Sequence, residues 1–129
     1  MKKYFEIKEP DVSWEEIANL EPAMLFLLGY VAEYADQNNL KVVLTSITEK
    51  VDGRVSSTHS DGRGLDFSLI GWNDLHIERL THKINSTYKK WGTSRTGENP
   101  KVLIVHDVGK GNHGHLQCRK GLKIGVLNG

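Results

Sequence analysis

Leu65-Asp66-Phe67-Ser68-Leu69 alternates between apolar and polar side chains without a break. Successive side chains on a strand point to opposite faces, so this run predicts a strand with Leu65, Phe67 and Leu69 on one side and Asp66 and Ser68 on the other. His113 to Gln117 follows the same rule, with His113, His115 and Gln117 sharing a face opposite Leu116. Strands patterned in this way need a layer that covers their apolar side. Helical spacing supplies one. Pro22 suits the first turn of a long helix, along which Met24, Leu28, Val31 and Ala35 recur and Leu25 and Leu27 widen the stripe. The pattern fades at Gln37-Asn38-Asn39. Ser13 and Glu16 have capping-box spacing for a short helix ahead of it. Asn73 or Asp74 caps a third helix with apolar positions Leu75, Ile77, Leu80, Ile84, Tyr88 and Trp91.

The other elements follow from β-branched content and turn residues. Lys41 to Ile47 reads as a strand, apolar on both faces (Val42 and Leu44; Val43 and Ile47) and therefore central in a sheet. Residues 48–63 and 92–100 read as loops, Val102 to Val105 as a strand, and the first dozen residues as an arm or an edge strand. Two helices, two strands, one helix and two strands predict an α+β fold, a small mostly antiparallel sheet with helices packed on one face. The 129 residues fit a single domain, 1–129.

Composition narrows the classes of function. Lys plus Arg number 17 and Asp plus Glu 16, giving a net charge of +1. A balance this close to neutral offers no general attraction to nucleic acid or to an anionic membrane. The longest apolar stretch, Ala23 to Ala35, is interrupted by Gly29 and Glu33 and falls short of the roughly 18 residues that span a bilayer. Met1-Lys2-Lys3 is not followed by an apolar segment, so synthesis in the cytoplasm without a signal peptide is expected. Cys118 is the one cysteine, which excludes an intrachain disulfide.

The chemistry-bearing residues collect in two segments, Ser57 to Asp66 and Asn112 to Gln117. If the apolar faces meet the helices, Asp66, His113 and His115 open onto the same polar side of the sheet, and His59 stands near the end of the loop that leads there. Two imidazoles and one carboxylate suit a three-ligand zinc site with a fourth position left for water. Zinc lowers the pKa of such a water from about 15.7 towards 7, which points to hydrolysis of an amide or ester.

Ser57-x-His59-x-x-Gly62-x-Gly64-x-Asp66, with the later His113-Gly114-His115, resembles the signature of the zinc D-Ala-D-Ala carboxypeptidase and L-Ala-D-Glu endopeptidase family. The resemblance covers roughly residues 41 to 118, and the family's small Ala is replaced by Gly64. It implies a hedgehog/DD-peptidase-like fold, Zn2+ as cofactor, and His59, Asp66 and His115 as its ligands. It also implies a metallopeptidase cutting a peptide bond in peptidoglycan stem peptides, with His113 acting beside the metal and Arg54 and Ser57 on the substrate side. Family members place a Glu or Asp shortly before the last ligand as general base. Here Asn112 stands three residues before His115 and accepts no proton, leaving Asp107 or His113, with His106 a further candidate. The expected partner is a peptidoglycan peptide, engaged by a monomer that acts on the cell wall after phage delivery or release by other means.

Blander readings attach to the same residues. Arg63 reads as a solvated loop cation, His76 and His82 as surface residues of a helix, Cys118 as a packed thiol, and Ser57 as a hydroxyl that bonds loop backbone. The alternative function is a catalytically impaired, zinc-containing module that binds peptidoglycan or a protein partner. An iron oxygenase with two His and one carboxylate is disfavoured because His59 and Asp66 are seven apart rather than two.

Overall fold

A computed structural model describes residues 4–48, 58, 61–94, 96–107 and 112–122, with only the backbone position of Asp107. In chain order the elements are β1 (Glu6–Ile7), α1 (Trp14–Ala18), α2 (Pro22–Gln37), β2 (Val43–Ser46), β3 (Gly64–Ser68), α3 (Asp74–Thr87), a 3-10 turn (Lys89–Trp91), β4 (Leu103–Asp107) and β5 (Asn112–Gln117). The fold is α+β. The strands make one mixed sheet in the order β1-β2-β3-β5-β4. β1 runs parallel to β2, so the N-terminal segment is an edge strand rather than an arm, and the other pairings are antiparallel. Among the described residues no helix is long and apolar enough to cross a membrane.

The helices start where the sequence signals them. Ser13 Oγ accepts from the Glu16 N–H at 3.2 Å, and the Glu16 carboxylate accepts from the Ser13 N–H at 2.9 Å, closing both halves of the capping box. Asn73 caps α3 by accepting from the His76 N–H at 2.8 Å. Met24, Leu27, Leu28, Val31 and Ala35 of α2 and Leu80 and Ile84 of α3 are buried against Leu65, Phe67, Leu69, Leu103 and Leu116. Leu25 departs from the expected stripe. It stands on the outer side of α2 and is 42% exposed, because the buried arc there is carried by Met24, Leu27 and Leu28. α3 stops at Thr87, and Tyr88 and Trp91 belong to the following turn, where they pack on each other 4.8 Å apart. Leu75, read as a core position, is exposed in the first turn of α3.

β2 is shorter than the expected 41–47 and does not carry core residues on two faces. Leu44 pairs with Phe67 while Ser46 pairs with Asp66, so the register shifts between them. A bulge of this kind absorbs one residue. Leu44 and Ile47, an odd number of positions apart, therefore both reach the one apolar core. The same shift sets Ser46 beside Asp66.

Gly114 explains how the two site strands approach each other. A Cβ there would lie 2.5 Å from Cζ of Phe67, so the fully buried phenyl ring lies across the bare backbone of β5. The glycine between His113 and His115 is thus required by the packing of the opposite face of the sheet.

Candidate metal centre

The ladder between β3 and β5 pairs Asp66 with His115 and Ser68 with His113. The ladder between β4 and β5 pairs Ile104 with His115 and His106 with His113. Directly paired residues of an antiparallel sheet share a face. Asp66, His113 and His115 therefore lie on one side of the sheet, away from the helices, as the alternation predicts. His106 joins them, with its ring 6.0 Å from that of His115.

Asp66 and His115 are 49 positions apart in the chain, yet His115 Nδ1 lies 2.8 Å from Asp66 Oδ1. His115 is buried and Asp66 half-buried, so the pair opens outward on the carboxylate side. His115 Nε2 lies 2.9 Å from Oε1 of Gln117, which is also buried. A nitrogen and a carboxylate oxygen facing each other are donors of the kind zinc takes. Two ligands of one tetrahedral zinc stand roughly 3.3 Å apart. The observed 2.8 Å is a hydrogen-bond separation, so accepting an ion in place of the shared proton needs an opening of roughly half an ångström. Asp66 and His115 thus supply two donors of the kind a zinc site needs, at hydrogen-bond rather than ligand spacing.

His59, Ser57 and Arg54 lie outside the described residues. Thr58, which stands between Ser57 and His59 in the chain, is described. Its carbonyl accepts from the Arg63 N–H at 2.9 Å, and a Cβ on Gly64 would meet its Oγ1 at 2.9 Å. Thr58 is therefore packed directly on the first residue of β3, two positions before Asp66. Gly62, with φ of +73°, supports the turn between them. Among the described residues no group of three or more His, Cys, Asp or Glu is arranged to hold a metal ion. Of the two candidate bases, His113 is half-buried on the polar face, two residues along β5 from His115 and so about 7 Å away. Asp107 is placed only as the register partner of Asn112 at the open end of the β4–β5 pair.

Two residues read differently in the structure. Arg63 is buried rather than solvated: one guanidinium nitrogen donates to the Cys118 carbonyl at 2.9 Å, another reaches the Asp61 carboxylate at 3.1 Å, and its Nε has no hydrogen-bond partner among the described residues. Asp61 is a neighbour in the same loop, but the Cys118 carbonyl lies 55 positions away and is not visible in the loop's composition. His76 is half-buried, its Nδ1 lying 3.3 Å from the Tyr34 hydroxyl of α2. His82 is exposed and Cys118 buried, as expected, and burial pushes the Cys118 thiol above its usual range. The residue whose role was missed is Gln117. The available signal was its place on the same strand face as His115, two residues on.

Comparison with protein families, with curated proteins and with solved structures finds no match to this chain.

Proposed function

We propose that this chain is a zinc-dependent peptidase that hydrolyses a peptide bond in peptidoglycan stem peptides, on a hedgehog/DD-peptidase-like version of its α+β fold. The observation that carries the reading is the meeting of Asp66 and His115 at 2.8 Å across β3 and β5. These are two of the three residues that the sequence signature nominates as ligands, and His59 completes the proposed set. Zinc, when bound there, supplies a Lewis acid for the scissile carbonyl and a water of lowered pKa.

The chain's own residues divide the remaining work. Asp66 contributes negative charge on the open side of the site. His113, on the same face as His115, is the proposed proton acceptor, with Asp107 the second candidate. Arg54 and Ser57 are proposed to hold the substrate's carboxylate or carbonyl groups. The site would act on the cell wall as a monomer.

Asn112, where family members carry a carboxylate, favours one second reading: a zinc-containing module that binds the wall without cutting it. The test is digestion of purified sacculi by the zinc-loaded protein, followed by the release of new amino groups. The wild type is expected to release them and the double variant H59A/D66A to release none. Undiminished release by the double variant rejects the peptidase reading. Retention on sacculi with no release by either protein selects the binding module.

A further inference from the structure

Gln117 makes three polar contacts and each constrains the next. Its amide nitrogen donates to the carbonyls of Thr93 at 2.8 Å and Lys101 at 3.0 Å. Thr93 and Lys101 are themselves joined by a pair of backbone hydrogen bonds, 3.2 and 3.1 Å long, in an isolated antiparallel bridge. Two carbonyl acceptors on one side leave the amide a single orientation, with nitrogen towards the bridge and oxygen towards His115. Oε1 is an acceptor only, so the His115 Nε2 it faces at 2.9 Å carries a proton of its own. The other nitrogen, Nδ1, faces Asp66 Oδ1 at 2.8 Å across a shared proton, and that proton is the one a metal ion would replace.

We propose that Gln117 is the positioning residue of the metal centre: clamped by the Thr93–Lys101 bridge, it holds His115 in the tautomer and orientation that offer Nδ1 to a metal ion beside Asp66. The proposal rests on the zinc reading for the identity of the ion. A ligating histidine whose other ring N–H is held loses ring freedom and gains basicity, and removing such a partner costs on the order of 10–100-fold in metal affinity. Nothing in the proposed ligand set itself accounts for a buried glutamine whose amide nitrogen and oxygen are both directed in this way. The bridge also ties the site to the segment after α3, some 20 positions upstream of His115 in the chain.

The experiment uses the full chain with 15N-labelled histidine, zinc binding measured by competition with a chromophoric chelator, and the variants Q117M and Q117E. In the metal-free wild type, His115 Nε2 is expected to be protonated. Zinc is expected to shift the Nδ1 resonance and leave the Nε2 proton in place. Q117M keeps the volume and loses the acceptor, and is expected to bind zinc on the order of 10–100-fold more weakly with mixed ring tautomers. Q117E keeps an acceptor and is expected to retain the Nε2 proton, while melting at a lower temperature because its carboxylate faces two carbonyls. A role in packing alone lowers the melting temperature of both variants and moves neither tautomer nor affinity, and that result overturns the proposal. An unprotonated Nε2 in the wild type overturns it without any variant having to fold. A protonated Nε2 in a wild type that binds no zinc defeats the peptidase reading while supporting the orientation assigned to Gln117.

Discussion

At the scale of single residues, two glycines with the same side chain have opposite consequences. Gly114 lies under the ring of Phe67, and a methyl group there would stand 2.5 and 2.6 Å from two ring carbons that are fully buried and have nowhere to move. Gly114→Ala is therefore expected to destabilise the fold by about 1–3 kcal/mol, the usual cost of overpacking. Gly29 is on the exposed side of α2, where an added methyl group would meet nothing within 4 Å, and Gly29→Ala is expected to stabilise the helix by about 0.5–1 kcal/mol. Urea midpoints of the two variants against the parent check both signs. The polar half of the site was legible at this scale. Period-two alternation alone sorts Asp66, His113 and His115 onto one face, because the direction of a strand side chain is a local property. Gln117 and Arg63 were not legible, because what they do is set by carbonyls of Thr93, Lys101 and Cys118, which the fold brings from elsewhere. A residue's own type says that it needs partners; it does not say which.

Between elements, Glu16 links the start of α1 to the end of β2. Its carboxylate closes the capping box with Ser13 and also accepts from the backbone N–H of Thr48, at 3.2 Å, and from the Thr48 hydroxyl. Thr48 follows β2 by two residues, so this carboxylate ties the end of that strand to the start of α1. Burial opposes its ionisation, but the hydrogen bonds from Thr48 and Ser13 outweigh that and hold the carboxyl below its ordinary value. A carboxyl whose pKa is lower in the folded state contributes stability above its unfolded pKa, and that contribution fades as the pH falls through the folded one. The wild type is thus expected to lose melting temperature on acidification below about pH 4.5 partly through Glu16, and Glu16→Gln to show a shallower acid limb with a lower plateau at neutral pH. Thermal melts between neutral pH and about pH 3 decide it, and superimposable acid limbs in the two proteins would rule the linkage out. Helix starts were legible because a cap is a contact between residues three apart. The β2 bulge was not: Val42 to Ile47 looks apolar on both faces, and only the pairing with β3 shows that one residue is absorbed.

For the whole molecule, the sheet is a partition. Its helix-covered face holds Phe67, Leu65 and Leu116 at zero exposure and carries the stability, whereas the other face carries Asp66, His106, His113 and His115 and the proposed chemistry. The element order made this division legible in advance, since helices that cover one face of a sheet leave the other for polar side chains. The proposed ligands come from three stretches of chain, before β3, within β3 and within β5. A metal held by all three exists only when the strands are paired, so binding stabilises the native state as a unit, by about 2.7 kcal/mol when free zinc is about 100 times the dissociation constant. Zinc is accordingly expected to raise the melting temperature of the wild type by several degrees, a chelator to reverse the rise, and magnesium to leave it unchanged, since a site with two imidazoles suits the softer ion. Asp66→Asn should largely remove the zinc-dependent rise, because the substitution takes away the negative charge of the proposed ligand that faces His115. A zinc-induced rise of equal size in the wild type and in Asp66→Asn would place the bound ion elsewhere on the chain, on the exposed His82 of α3 for example, and would separate the stability of the sheet from the chemistry proposed for its open face.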